Sequence, residues 1–242
     1  MKKLLGALAF SALLAAPALA ADLPARMPVK APVAVVAAYS WTGCYLGVQG
    51  GWQRGRDHTR ETITATGAFN NFDQHWDSDG FVGGGHIGCN WQTGQWVFGV
   101  EGDFEGSTLD GGYTLANGNG TDFDTRWQAS IRGRLGIAFD RVLIYVTGGA
   151  AFADLRYAYF TPTQRESFSN TEVGWTVGGG IEYAWAGNWS VRAEYRFTDF
   201  GSLHNNSLVA FPGFTYGHDP QFHAVRGYLT YRFGSSPVVA RY

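Results

Sequence analysis

The chain has 242 residues, 45% hydrophobic and 16% aromatic, with 18 Lys+Arg against 20 Asp+Glu and a formal charge of -2. That balance gives no basis for a nucleic-acid partner. A mean hydropathy of -0.14 and the lack of any later apolar run near the ~20 residues of a helical span argue against a helical membrane protein. Strands that cross a membrane stay open as a solution, because only every second residue of such a strand meets lipid.

Met1-Lys2-Lys3, the apolar stretch Leu4 to Leu14 and the small-x-small site Ala18-Leu19-Ala20 have the layout of a secretory signal peptide over residues 1–20. Residues 21–40 carry Pro24, Pro28 and Pro32 among Ala and Val, which favours an extended periplasmic linker. From Trp41 the period becomes two. The first run sets Cys44, Leu46, Val48 and Trp52 against Tyr45, Gln49 and Gln53. The second sets Phe81, Ile87, Cys89 and Trp91 against His86 and Asn90, and the third sets Trp96, Phe98, Val100 and Phe104 against Glu101 and Asp103.

The fourth run is the clearest. Trp127, Ala129, Ile131, Leu135, Ile137 and Phe139 alternate with Arg126, Gln128, Ser130, Arg132 and Arg134. A helix would scatter those arginines around its circumference, whereas a strand gathers them on one side. In the fifth run, Val142 to Phe152, a turn at Asp140-Arg141 pairs Phe139 with Val142 and turns Tyr145 and Thr147 inward. The sixth places Val173, Trp175, Val177, Ile181, Tyr183 and Trp185 opposite Thr176 and Glu182. The seventh places Trp189, Val191, Ala193, Tyr195 and Phe197 opposite Arg192, Glu194 and Arg196. The eighth places Val225, Leu229, Tyr231 and Phe233 opposite Arg226, Thr230 and Arg232.

Tight connections near Thr93, Asp140 and Gly187 alternate with long polar ones at 55–79, 106–124, 154–170 and 201–221. Eight alternating strands with short turns at one end and long loops at the other predict an all-β fold: an eight-stranded antiparallel up-and-down transmembrane β-barrel over 41–233, with a C-terminal tail over 234–242. A soluble β-sandwich also alternates. Its wet face has no reason to prefer Arg over Lys, yet no Lys follows Lys30.

Eight strands enclose a space just wide enough for side chains. Glu101, Asp103, Glu182 and Glu194 should therefore pair there with Arg132, Arg134, Arg192, Arg196, Arg226 and Arg232, because an unpaired buried ion is costly. A turn at Ala186-Gly187-Asn188 would set Glu182 opposite Arg192. A turn at Gln92 to Gln95 would pair Trp91 with Trp96 and set His86 opposite Glu101. Such a lumen is read as a plug in preference to an ion gate. Cys44 and Cys89 fall near the same ends of adjacent runs, within reach of a cross-strand disulfide if the register is true; a slip would leave two free thiols.

Gly83-Gly84-Gly85-His86-Ile87-Gly88 matches a dinucleotide fingerprint only in letters, since no helix follows it. Asp77-Ser78-Asp79-Gly80 begins like a calcium loop but lacks the downstream glutamate. His58, His75, His204 and His218 fall in the long connections, without H-x-x-x-H or H-E-x-x-H spacing, and read as solvated loop residues in preference to a metal or haem site. No G-x-S-x-G occurs, and Ser130 and Ser190 have no inward His nearby, so no catalytic site, metal or cofactor is expected.

Several stretches together carry a family resemblance: Ala21-Asp22-Leu23-Pro24, Trp41-Thr42-Gly43-Cys44-Tyr45-Leu46-Gly47, Gly84 to Gln92, Phe98 to Asp103, Arg134 to Arg141 and Val191 to Phe197. The chain resembles the alphaproteobacterial outer-membrane immunogenic proteins, a porin family related in fold to the outer-membrane protein A barrel. The resemblance implies a surface-exposed, antigenic outer-membrane barrel that supports the envelope. It would contact lipid, lipopolysaccharide and the barrel-assembly machinery. Haem binding and small-solute conduction stand as alternatives; contact with peptidoglycan or a host surface is left open. Continuation of the chain past Phe233 departs from barrels that end on the last aromatic residue.

Overall fold

A computed structural model describes residues 39–233. The leader expected at 1–20, the linker up to residue 38 and the tail expected at 234–242 lie outside them. Ten strands follow in chain order: β1 (Gly43–Ile63), β2 (Phe69–Thr93), β3 (Trp96–Thr114), β4 (Gly120–Phe139), β5 (Val142–Phe160), β6 (Arg165–Ala186), β7 (Trp189–Asp199), β8 (Leu203–Ser207), β9 (Phe214–His218) and β10 (Gln221–Arg232). Each of β1 to β6 pairs antiparallel with the next, β10 pairs with β7, and β10 pairs with β1 from Tyr45↔Arg232 to Arg56↔Gln221. The closed ring thus has eight strands. Closure leaves no unpaired edge, which is the condition for a sheet to stand in lipid.

At one end three two-residue turns join β2–β3, β4–β5 and β6–β7. Gly94 (φ 61°) and Gly187 (φ 54°) supply the left-handed conformation these turns require. At Asp140 (φ 51°) the same conformation falls on a residue type that tolerates it. Its carboxylate accepts the Tyr39 N–H at 2.9 Å and its carbonyl accepts the Trp41 indole N–H at 2.9 Å, which seats Trp41, fully buried, in the end of the barrel.

The outer face at this end begins a belt of exposed apolar residues: Trp91, Trp96, Phe139, Trp185 and Trp189. The belt ends at Trp52, Phe81, Phe104 and Trp175. It covers the roughly 9–11 residues per strand that a tilted membrane strand needs, as in the eleven from Phe81 to Trp91. Above the belt the outward residues of β1 and β2 turn polar, with Arg54, Arg56, His58 and Arg60 facing Asp79, Asp77, His75 and Asp73.

The structure corrects four expectations. The long connections are mostly strand: β1–β2, β3–β4 and β5–β6 run on to tips at 64–68, 115–119 and 161–164, and β8 and β9 form a hairpin that docks on β1. Outside lipid both faces carry polar groups, so the hydrophobic alternation fades while the backbone ladder continues. Second, β2 and β3 pair as Thr93↔Trp96 and Trp91↔Phe98. The turn is two residues shorter than expected, so His86 faces Asp103 and Glu101 faces Gly88. Third, Ala186 faces Trp189, and an irregularity between Ala184 and Ala186 restores Glu182↔Arg192 despite the different turn. Fourth, Arg126 is exposed, because a bulge between Thr125 and Gln128 reverses the phase of β4.

Candidate functional site: the barrel interior

The interior has three levels. Nearest the tight turns lies an apolar cluster of Trp41, Val97, Ala138, Leu143, Tyr145 and Ala184. Above it, within the span of the lipid belt, six arginines (132, 134, 192, 196, 226, 232) meet five carboxylates (Glu101, Asp103, Glu105, Glu182, Glu194) among the described residues, and each residue is 8% exposed or less. A third, aromatic level lies above the belt.

The ionic level consists of two ion-pair groups, Glu182 with Arg134 and Arg232 and the other four carboxylates with Arg132, Arg192, Arg196 and Arg226. They are joined through Tyr145, which donates to Glu194 at 2.8 Å beneath the Arg134 guanidinium. Glu182 accepts from Arg134 Nη2, from Arg232 Nη2 at 3.2 Å and from Ser190 Oγ at 2.6 Å. Glu101 accepts from Arg132 Nη2 at 2.6 Å, Arg192 Nη1 at 2.6 Å and Tyr45 Oη at 2.8 Å. Arg132 continues to Asp103 at 3.0 Å and, through Nη1, to Glu194 at 2.8 Å. Arg196 donates to Asp103 and Glu194 and to Tyr228 Oη. Arg226 grips Glu105 through Nε at 2.9 Å and Nη2 at 2.8 Å, and Gln49 adds a third donor at 2.7 Å. Each carboxylate thus accepts several charge-assisted bonds, the condition under which burial of an ion is tolerated.

Tyrosines fill the space between the charges. Arg134 stacks over Tyr145 at 3.8 Å and Arg192 over Tyr228 at 3.7 Å. Facing glycines make room for them. A Cβ on Gly88 would meet Tyr45 Oη at 2.5 Å, and one on Gly180 would meet Tyr145 Oη at 2.7 Å.

The ten charged residues that the sequence expects to pair in the lumen are buried there, whereas Arg126 of the same alternating series is exposed, and the partners differ from those that register alone suggests. Arg192 stands opposite Glu182 along the ladder and yet reaches across to Glu101, while Glu182 is held by Arg134 and Arg232. In so narrow a barrel a long side chain finds the far wall as readily as the next strand. His86 takes no part in an ion pair; its Nε2 lies 2.9 Å from Thr230 Oγ1 and its ring packs edge-on to Tyr228. Sequence reasoning missed Glu105, because the third run was ended at Phe104 although the inward phase Glu101, Asp103 continues to it. It also gave Tyr45, Tyr145 and Tyr228 no role.

The aromatic level contains Trp76, Leu109, Phe123, Leu155, Tyr157, Tyr159, Tyr216 and Phe222. Its polar tips converge on two buried groups. Tyr157 Oη donates to Asp57 at 2.9 Å, His218 Nδ1 lies 3.2 Å from the same carboxylate oxygen, and Tyr159 Oη lies 2.6 Å from His218 Nε2. Burial, reinforced by the Asp57 charge, pushes the Tyr157 hydroxyl well above the usual phenol range; burial likewise raises Tyr159 and Tyr216. These phenols stay neutral; Tyr157 donates to Asp57 and Tyr216 to Glu61, while Tyr159 accepts from Asn205. His218, expected in a solvated loop, is fully buried on β9.

Cys44 and Cys89 stand directly opposite on β1 and β2 and are joined by a disulfide, with Cα atoms 3.9 Å apart.

Residues 6–233 match the family described as outer membrane protein beta-barrel domain. The chain is similar to the 31 kDa outer-membrane immunogenic protein of Brucella melitensis biotype 1, with 32% identity over 92% of this chain and 96% of the relative. It is also similar to the 22 kDa outer membrane protein of Rhizobium leguminosarum bv. viciae, with 34% identity over 69% of this chain and 68% of the relative. Among solved structures, Neisserial surface protein A aligns with 79% of this chain and 98% of its own at 18% identity and a TM-score of 0.34.

Proposed function

The chain belongs to the outer membrane protein beta-barrel family and resides in the bacterial outer membrane, and from that premise we propose that it is a structural, surface-presenting barrel whose lumen is sealed. The observation that carries this reading is the sequence of three plugs along the axis: the Trp41 cluster, the arginine–carboxylate network and the aromatic cluster around Trp76. An ion crossing this interior would have to displace guanidinium groups already committed to carboxylates, at a cost of several kcal/mol per broken buried pair.

The proposed role is mechanical and involves no catalysis. The ladder and its ionic filling stiffen the wall, and the extension above the belt presents a surface to the outside. The outer wall meets lipid. Arg54, Arg56 and Arg126, exposed just beyond the belt, suit the phosphates of lipopolysaccharide, and the assembly machinery would insert the barrel.

The test is electrical. The purified chain, inserted into planar bilayers, is expected to give no stepwise conductance. A variant that thins all three plugs together, Trp41→Ala and Trp76→Ala with Arg132→Ala and Glu101→Ala, is expected to give steps. Regular steps from the unmodified chain would overturn the sealed-lumen reading.

A further inference from the structure

Above the lipid belt, the outward faces of β1 and β2 form four rungs: Arg54↔Asp79, Arg56↔Asp77, His58↔His75 and Arg60↔Asp73. Three of them place a cation opposite an anion. The third places two imidazoles opposite each other, a like pair that gains nothing from its neighbour as a charge pair. The two rings stack at 4.0 Å with an interplanar angle of 16°. Both turn a nitrogen toward the same oxygen of Asp73: His58 Nε2 lies 2.5 Å from Asp73 Oδ1, and His75 Nδ1 lies 3.5 Å from it.

Among the described residues, these are the three ligand-type side chains whose donor atoms all fall within 4.8 Å of one another. We propose that His58, His75 and Asp73 form a surface site for a divalent transition-metal ion of the zinc class.

Two imidazoles and one carboxylate suit zinc and its first-row neighbours, whereas calcium and magnesium prefer all-oxygen sites. Zinc bonds of roughly 2.0–2.2 Å in a tetrahedron put neighbouring donor atoms about 3.4 Å apart. The His75–Asp73 separation of 3.5 Å already fits that edge. The His58–Asp73 separation must open, by rotation of a half-exposed aspartate, and the two stacked rings must splay apart, because an imidazole nitrogen binds a metal in the plane of its ring.

The flanking charges do not forbid a cation. Arg54 and Arg56 lie 2.6 Å and 3.9 Å from Asp77, and Asp199 and Asp219 line the cleft that His58 and His75 share. Arg60, opposite Asp73, and Arg56, which lines the same cleft, oppose binding, and the bound carboxylate must be drawn away from Arg60. The three protein ligands leave the fourth position open to water or to a donor from another molecule, so this is a site of capture at the cell surface. Its ligands come from two strands, at spacings that resemble no linear metal motif, which is why the sequence alone did not reveal it.

The test uses the full, untagged chain folded in detergent and titrated with zinc chloride by calorimetry, with bound metal counted after dialysis. One zinc per chain is expected. His58→Ala and His75→Ala should each weaken binding by at least the ~10–100-fold that disturbing even an outer-sphere partner costs a metal site, and Asp73→Asn should weaken it less. His223→Ala, which changes a histidine that pairs with Tyr195 and stands opposite Arg54, outside the three-ligand cluster, should bind as the parent does. Heat-modifiable gel mobility checks that each variant is folded; Asp73 and His75 are exposed and His58 is partly covered on the outer face, away from the packed interior. No zinc retained by the parent chain, or zinc retained equally by His58→Ala and His75→Ala, would overturn the site.

Discussion

At the level of lipid the barrel is filled with arginines and carboxylates; above lipid the same walls close around Trp76, Phe123, Tyr157, Tyr159 and Tyr216, with Asp57, Glu61 and His218 as buried carboxyl and imidazole groups at their tips. The two fillings have different rules. An aromatic ring fits wherever shape permits and loses stability in proportion to the volume removed. A buried ion depends on every partner it has, and removal of one exposes the full cost of the others. The membrane-level interior is therefore a single connected network, while the extension is a packed cluster with a few polar anchors.

The sharpest way to break this contrast is Arg132→Met. Arg132 holds Glu101, Asp103 and Glu194 together, and its loss should cost about 3–5 kcal/mol, read as the shift in urea midpoint of the folded barrel in micelles. A loss below about 1 kcal/mol, the range of exposed pairs, would mean that the network relaxes around a missing charge. In the extension, Tyr159→Phe keeps the ring and removes the hydroxyl bonded to His218 and Asn205. It should cost about 1–3 kcal/mol. The effect should appear as faster proteolysis of the extension with unchanged heat-modifiable mobility. Loss of that mobility would show the two levels to be one cooperative unit.

The smallest effect concerns the docking of the β8–β9 hairpin. Partial burial works to raise the Glu166 pKa, but hydrogen bonds from Ser207 Oγ and from the backbone N–H groups of Leu208, Val209 and Ala210 outweigh it and hold the carboxyl below its ordinary value of 4.5. A carboxyl whose pKa is lowered on folding contributes above its unfolded value and loses that contribution as pH falls through the folded one. Amide exchange at 208–210 should therefore accelerate below pH 4.5 and become pH-independent in Glu166→Gln once intrinsic exchange is subtracted.

The contrast between the levels also explains what the sequence makes legible. Within the belt, oil on one side and charge on the other give Arg132 and Arg134 an unambiguous phase. From that phase come the strand count, the inward residues and the cysteine pair. Partners across the lumen, such as Arg192 with Glu101, depend on barrel diameter and shear and have no signature along the chain. Register at the β2–β3 turn hinges on whether Gly94 takes the left-handed position of a two-residue turn, a choice that Gln92-Thr93-Gly94-Gln95 leaves open. Above the belt water lies outside and aromatic rings lie inside, so polar residues fall on both faces. His58, His75 and His218 then look like loop residues, although all three sit on strands.

The upward continuation of β1 and β2 to a tip at 64–68 has a consequence for anything that meets this molecule from outside. Thr59 accepts the Trp76 indole N–H at 3.0 Å within its own hairpin and is paired at once with Gln74 and with His218, 159 positions away. A visiting molecule therefore encounters a stiff mosaic stitched from distant parts of the chain. A short peptide copied from any one segment would carry the letters of that mosaic without its pattern.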